Sequence, residues 1–363
     1  MVTDNDIQSN LAIPPGEYLE EVLEELGMTK DELAHRMGRP ATKLSQIFRG
    51  EKAITPDTAL QLETVVGVPA HIWTGLESEY RLTLARQEKR QQEDQLRSET
   101  GLVAKFPYIE LVKAGEIERH SGPTDRVKAL REFFGVMSLR SVRELKRYQP
   151  AFRFGKSGSG ERTPEAIAAW LRMGERRAQR FHCAPYSEDR LRACLADLRG
   201  MTSQNPDNFQ ESLLSALAEC GVALIFCPHF LKTGSHGATF WLGHEKAVLM
   251  ITIRYKWADI FWFSLFHEIG HILLHSRQAV ILEDDAQDQR EHAADMFAAS
   301  TLIPQAEYRH FTHEGLFYPD DIAKFARKVG IDSGIVVGRL QHDGLLNRRF
   351  CNDLRTRYEW KTK

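Results

Sequence analysis

The chain has 363 residues, of which 42% are hydrophobic and 27% charged, and its formal net charge is −2. This length favours two or three domains over one, and this charge excludes a protein that binds polyanions through its whole surface. The polar, acidic N-terminus predicts no signal peptide, and no apolar run is long enough to predict a membrane span. The five cysteines are an odd number without C-x-x-C spacing, which is typical of free thiols in a reducing cytoplasm.

The segment 13–80 has the pattern of a compact helical bundle. Apolar residues recur at helical spacing, and Thr29 with Glu32 forms a capping box at the start of a second helix. A third helix is predicted over about 41–49 and a fourth after Thr55, where a proline occupies the first turn.

A basic surface is predicted on the second and third of these helices. Between residues 29 and 54, six basic residues stand against three acidic ones, whereas residues 1–28 carry acidic groups only. Leu44 and Ile47 would face the core of the bundle. The outward-facing residues of the third helix would then be Thr42, Lys43, Gln46 and Arg49. These residue types read base edges and phosphates, so we expect a DNA-binding domain over 1–82; a bundle that binds protein is the alternative.

After residue 82 the sequence first predicts helices and then short strands. A charged helical linker is predicted over 83–100 and a helical region over 101–204. Three short apolar runs then predict strands of a small sheet, at 222–226, 238–242 and 247–251. The predicted fold class is therefore mainly α with a small β-sheet (α+β). We expect the run 237–242 to be an edge strand that accepts a peptide substrate.

A strongly apolar helix, predicted over about 258–275, contains His267-Glu268-Ile269-Gly270-His271. The two histidines are i and i+4 on one face, so both rings can reach one metal ion. Glu268 lies about 100° round the helix from His267, where it can take a proton from water without being a ligand. Burying all three side chains costs free energy unless they are coordinated, which favours a catalytic zinc ion. A degenerate, metal-free site is the alternative.

The third zinc ligand is expected on the following helix. His275 lies about 12 Å along the helix from His267, so it cannot share the ion and would instead support a ligand or the structure. Glu291 and Asp295 are i and i+4 on one face. Glu291 can bind the metal, while Asp295 can accept the outer N–H of a ligand histidine. His292 is the rival ligand.

Two motifs of this region occur together in a known family. The run from His267 to His275, the pattern E-x-x-x-D-x-F-A that begins at Glu291, and Leu302-Ile303-Pro304 resemble the ImmA/IrrE family of zinc metallo-endopeptidases. Members often carry a second glutamate where this chain has Ala293. The resemblance covers about 205–310. It implies a peptidase domain over 205–311, a C-terminal helical extension over 312–363, Glu291 as third zinc ligand, and limited proteolysis of a helix-turn-helix repressor.

A second resemblance covers about residues 12–85. Leu33-Ala34, Gly38, Leu44-Ser45, Ile47 and Gly50 match the Cro/repressor-type helix-turn-helix family. The runs Pro15–Leu19, Ile72-Trp73 and Tyr80–Leu82 are similar to its HigA-type antitoxin branch. The resemblance implies a homodimer on palindromic double-stranded promoter DNA. Pro40 is unusual in the turn of this family.

These patterns together predict a cytoplasmic regulator whose peptidase domain controls a repressor, its own or a partner's, in a stress-response or toxin–antitoxin system. A regulator whose peptidase-like domain only senses a signal or binds a partner is the alternative. The oxyanion or substrate contacts of the peptidase remain open among three candidates, Tyr255, His236 and Arg254.

Overall fold

The computed structural model describes residues 11–149, 163–228, 230, 233, 237–252, 256–275, 281–282 and 289–359. The chain divides into two compact units, Met1–Ser98 and Glu99–Lys363. Among the described residues, no helix is both long enough and apolar enough to cross a bilayer.

The N-terminal unit is entirely helical in the part that is described. Its helices are α1 (Pro15–Glu25), α2 (Lys30–Arg36), α3 (Ala41–Phe48), α4 (Pro56–Val66) and α5 (Ala70–Glu99). The predicted caps are present: the Thr29 hydroxyl accepts a hydrogen bond from Glu32 N at 3.2 Å, and Thr55 caps α4. Pro40 is the N-cap of α3 and lies outside the helix, which begins at Ala41. Gly16 of α1 lies directly against the backbone of Phe48, which allows α1 and α3 to pack closely.

The long helix α5 ends at Glu99, the first residue of the second unit. The Glu99 carboxylate is buried and accepts hydrogen bonds from Arg131 Nε, the Ser138 hydroxyl and Leu139 N. Burial raises the pKa of Glu99, but these hydrogen bonds outweigh that effect and lower it below its usual range. The linker expected over 83–100 is thus helical to residue 99, and its last carboxylate is fixed in the second unit.

The second unit contains further helices and the sheet. The helices in its described part are α6 (Tyr108–Lys113), α7 (Pro123–Phe134), α8 (Pro164–Arg180), α9 (Glu188–Gly200), α10 (Pro206–Glu219), α11 (Ala258–Leu274), α12 (Gln289–Leu302), α13 (Gln305–Glu314), α14 (Pro319–Val329) and α15 (Ser333–His342). Short 3-10 turns lie at Thr100–Lys105, Leu139–Glu144, Met201–Ser203 and Asn352–Leu354. The mainly α fold with a small sheet is confirmed.

The sheet has four described strands in the order β1-β3-β2-β4. They are β1 (Val222–Phe226), β2 (Gly237–Leu242), β3 (Lys246–Ile251) and β4 (Ile281–Leu282). β1 is parallel to β3, and β2 is antiparallel to both of its neighbours. The three predicted strands are present to within one residue at each end. The expectation that 237–242 is an edge strand is wrong at Ala238 and Thr239, because β4 pairs with β2 there.

One apolar core joins the segments of the second unit that the sequence separates. It contains Leu198 from the expected helical region, Trp262 from the expected peptidase domain, and Phe325 from the expected C-terminal extension. The boundaries expected at 204/205 and 311/312 therefore lie inside one packed unit, and they stay predictions. Helix α11 lies in this core and is buried on nearly every face.

A buried ion pair holds the C-terminal segment to the start of α11. Arg355 donates two hydrogen bonds to Asp259, from Nε to Oδ1 at 3.2 Å and from a terminal nitrogen to Oδ2 at 2.7 Å. The Asp259 residue is 7% exposed, and its burial raises its pKa although Arg355 opposes the shift. The guanidinium groups of Arg355 and Arg357 both lie over the Trp257 ring, at 4.4 and 4.5 Å. Arg355 is therefore joined to the core by a charge pair that Arg357 lacks.

We expect Arg355→Met to destabilise the second unit by about 3 kcal/mol, because it leaves a buried carboxylate without its partner. Arg357→Met is the matched control, since it removes the same kind of stacking contact from the same ring, and it should cost less than about 1 kcal/mol. The loss of unfolding free energy in Arg355→Met should become smaller as the pH falls, because a protonated Asp259 is less costly to bury. Urea unfolding of the full chain at two pH values measures both effects, and equal losses in the two variants would contradict the assignment.

Candidate metal centre and helix-turn-helix surface

The helices α11 and α12 run in opposite directions and touch at a glycine. A methyl group on Gly270 would lie 3.1 Å from Phe297 Cδ1 and 3.2 Å from Ala294 Cα. Ala294 and Ala298 are fully buried in this contact region of α12. Small side chains on both helices thus let the backbones approach closely, and the first turn of α12 lies beside the last turns of α11.

This approach brings together three ligand-type side chains. His267 Nε2 and His271 Nε2 are 2.9 Å apart. One carboxylate oxygen of Glu291 lies 3.2 Å from His267 Nε2 and the other lies 3.3 Å from His271 Nε2. All three residues are buried, at 9% exposure or less. Three ligand atoms of one metal ion would occupy this arrangement with only small shifts.

The electrostatics of the cluster favour a charged carboxylate. Burial raises the pKa of Glu291, but hydrogen bonds from His267 and His271 and the charges of these rings outweigh it and lower the pKa to about 2. Glu291 is therefore ionised at neutral pH in spite of its burial, which is the state that binds a cation.

The other predicted residues of this region lie around the cluster in different ways. Asp295 Oδ1 is 2.8 Å from His267 Nδ1, so it can accept the outer N–H and orient this ring. His275 follows the last residue of α11, and its Nε2 is 3.1 Å from the carbonyl oxygen of Arg290, which joins the end of α11 to α12. His292, the rival ligand, is exposed and does not belong to the cluster.

Glu268 points toward the sheet. Its residue is fully buried, and Oε2 accepts a hydrogen bond of 2.5 Å from the Thr239 hydroxyl on β2. A methyl group on Gly237 would lie 2.3 Å from Glu268 Oε1, so this strand leaves room for the carboxylate only because residue 237 is glycine. The sequence reasoning missed both Gly237 and Thr239 as neighbours of Glu268. A polar residue inside an apolar strand, which needs a buried partner, is the signal that could have indicated Thr239.

The three candidates for oxyanion or substrate contacts, His236, Arg254 and Tyr255, lie outside the described residues. Their roles stay predictions.

The predicted DNA-contacting residues lie on one exposed surface of the N-terminal unit. Leu44 and Ile47 of α3 are buried as expected. The side of α3 that faces away from the core carries Thr42, Lys43 and Gln46, and Arg49 follows the last residue of the helix; all four are exposed. Thr42, Gln46 and Arg49 line a shallow depression that α3 shares with the start of α2. The structure thus presents these four residues together, as a helix entering a DNA groove would need.

Comparison with known families matches each unit to a different domain. Residues 19–73 match the helix-turn-helix family, and residues 231–341 match the IrrE N-terminal-like domain, Peptidase_M78. The second match includes all three ligand-type residues of the cluster.

Similar proteins match the N-terminal unit. Virulence-associated protein I of Dichelobacter nodosus is 37% identical over 79 residues, which are 22% of this chain and 73% of that protein. The uncharacterized HTH-type transcriptional regulator YddM of Escherichia coli K12 is 31% identical over 71 residues, 20% of this chain and 76% of that protein.

Two solved structures match the same part of the chain. A protein of Nostoc punctiforme described as an antidote of a plasmid maintenance system has 25% identity, covers 23% of this chain and 93% of its own, and has a TM-score of 0.23. An addiction module antidote protein of a HigA family from Coxiella burnetii has 31% identity, covers 22% and 88%, and has a TM-score of 0.21. From its two family matches and its relatives, the chain belongs to the helix-turn-helix transcriptional regulators, with this domain fused to an IrrE N-terminal-like domain of the Peptidase_M78 type.

Proposed function

We propose that this chain is a DNA-binding regulator whose second unit is a zinc-dependent endopeptidase that cleaves a helix-turn-helix repressor, its own or a partner's. The observation that carries the proposal is the buried cluster of His267, His271 and Glu291 on a helix that also holds Glu268. The match to the Peptidase_M78 type supports it. The sequence resemblance to HigA-type proteins supports a toxin–antitoxin or stress-response role for the regulator.

The donor set fits zinc. Two imidazole nitrogens and one carboxylate are ligands that catalytic zinc takes, and they leave a further position for water or substrate. His267, His271 and Glu291 would hold the ion, and Asp295 would keep His267 in the tautomer whose Nε2 is free to bind it. When bound, zinc polarises the peptide carbonyl and acidifies the attacking water.

Glu268 is the proton carrier in this proposal. The Thr239 hydroxyl holds Oε2, and the Glu268 carboxylate would take the proton of the attacking water and deliver it to the amide nitrogen that departs. Because residue 237 is glycine, the Glu268 carboxylate can lie directly against strand β2.

The N-terminal unit would bring the peptidase to its regulatory target. In this proposal Lys43 and Arg49 would neutralise phosphates, while Thr42 and Gln46 would read base edges. As a homodimer, the chain would address two half-sites of a palindromic promoter.

We expect the dialysed full-length chain to retain about one zinc ion per chain and the His271→Ala variant to retain none, because two ligands no longer hold the ion. Asp295→Ala should lower zinc affinity by about 10- to 100-fold, since it frees the His267 ring. His292→Ala is the matched control, because His292 is the exposed rival ligand on α12, and it should keep the metal. Plasma mass spectrometry measures the zinc content per chain. A wild-type chain that takes up no zinc, or an equal loss of zinc in the two histidine variants, would contradict the ligand set.

Glu268→Gln should keep zinc and lower peptide cleavage by about 10²- to 10⁴-fold, because glutamine cannot carry the proton. Cells that express the wild-type chain, Glu268→Gln or the exposed control Glu211→Gln are compared by sequencing of new protein N-termini. We expect new N-termini within a helix-turn-helix protein, this chain included, in the wild type and the control only. If zinc-loaded wild type yields no cleavage that depends on Glu268, the domain is a sensor or partner-binding module, and the endopeptidase proposal is wrong.

Lys43→Ala should weaken binding to a duplex that the wild-type chain selects from a randomised pool. The slope of log affinity against log salt should fall by about 1, because one phosphate contact is lost. Lys89→Ala on the exposed part of α5 is the control and should leave affinity and slope unchanged. Fluorescence anisotropy across a salt series measures both; binding that does not depend on salt would favour a protein-binding role for this unit.

A further inference from the structure

A cavity lies between α11 and α12, at the end of this helix pair that is away from the metal cluster. It has a volume of about 290 Å³ and is walled by the first half of α11, the last turns of α12, and α15. This volume is close to the lower limit for small-molecule pockets, and it is too small for a helix or a strand of a partner protein.

The walls of the cavity are mainly apolar. The apolar side chains that line it are Ile260, Phe263, Ala299, Leu302, Ile303 and Ile335. Apolar walls with a few polar groups are the usual composition of a small-ligand site.

The charged groups at the cavity are already paired. Asp259 is held by Arg355, and Arg339 donates to Asp343 Oδ2 at 2.8 Å. His342 contacts the other oxygen of Asp343, at 3.1 Å. Arg339 and His342 share the one Asp343 carboxylate, and Asp259 is held by Arg355, so these charged side chains of the wall already have partners. A neutral molecule avoids the cost of burying an unpaired charge.

One polar side chain in the wall has no partner. Ser264 of α11 lines the cavity and is 4% exposed, and within the described part of the chain its hydroxyl makes no hydrogen bond. A ligand with a hydroxyl or carbonyl group could hydrogen-bond to this hydroxyl in the place of water. Ser264 therefore supplies a directional contact among walls that are mainly apolar.

The cavity is also joined to the metal cluster through one side chain. Phe263 lines the cavity, and its ring centroid is 6.4 Å from that of His267. The two helices that hold the ligand-type residues are the same two that form the cavity walls. A molecule bound here would thus contact the framework of the cluster without touching its ligands.

We propose that this cavity is a binding site for a small, neutral, mainly apolar molecule that hydrogen-bonds to Ser264 through a hydroxyl or carbonyl group. The proposal does not depend on DNA binding or on peptidase activity, and its failure leaves both of them untouched.

The test uses the full-length chain and the straight-chain alcohols from 1-butanol to 1-octanol, titrated by isothermal calorimetry. We expect one saturable site per chain, with affinity rising roughly fourfold for each added methylene until the cavity is full. Ser264→Ala should weaken the binding of the best alcohol by about two- to tenfold, through loss of one hydrogen bond. Hexanoate should bind more weakly than 1-hexanol, because its charge finds no unpaired cation.

Ala299→Met fills the cavity from its wall and should abolish alcohol binding. Ala196→Met, at an exposed position of α9, is the control for adding the same side chain elsewhere and should bind like wild type. Absence of saturable binding, or binding that survives Ala299→Met in a folded chain, overturns the proposal. If Ala299→Met does not fold, unchanged binding by Ser264→Ala overturns it instead. Hexanoate binding as tightly as 1-hexanol also overturns the neutral-ligand assignment.

Discussion

The close approach of α11 and α12 at Gly270 is the constraint on which the candidate site depends. Two histidines one turn apart share a face in any helix, but the carboxylate between them comes from another helix. A methyl group at position 270 would lie 3.1 Å from Phe297 and 3.2 Å from Ala294, so the contact between the two helices that also carry His267 and Glu291 would have to loosen slightly. The glycine inside the motif is thus a packing residue, and its cost in helix propensity is offset by the contact it permits.

Because the cluster is buried, the contribution of each ionisable group to stability depends on the other groups. Removing one ionisable group leaves its buried partners without compensation, which costs more than the net gain of the intact arrangement. An ion held by His267, His271 and Glu291 would join two helices of one core, so that metal affinity and stability of the second unit would be coupled. The Glu268 carboxylate accepts a hydrogen bond from Thr239 of β2 and is not one of the three ligand-type groups of the cluster.

The features that the sequence predicts well are those with a local pattern. The spacing of His267 and His271, the i, i+4 relation of Glu291 and Asp295, the caps at Thr29 and Thr55, and the apolar strand runs each lie within a few residues. The features that it misses join distant segments: Thr239 is 29 positions from Glu268, and Asp259 is 96 positions from Arg355. Such contacts depend on tertiary packing and leave no periodicity, and the two-residue strand β4, which covers part of β2, is too short for any pattern.

The two ends of the antiparallel helix pair α11 and α12 differ in side-chain size and polarity. At one end glycine and alanine let the backbones touch, and the polar groups meet across the contact. At the other end Ile260, Phe263 and Leu302 replace these small residues, α15 becomes the third wall, and an apolar space remains. Phe263 lines this space, and its ring centroid is 6.4 Å from that of His267. The same pair of helices therefore holds the candidate metal cluster at one end and the apolar cavity at the other.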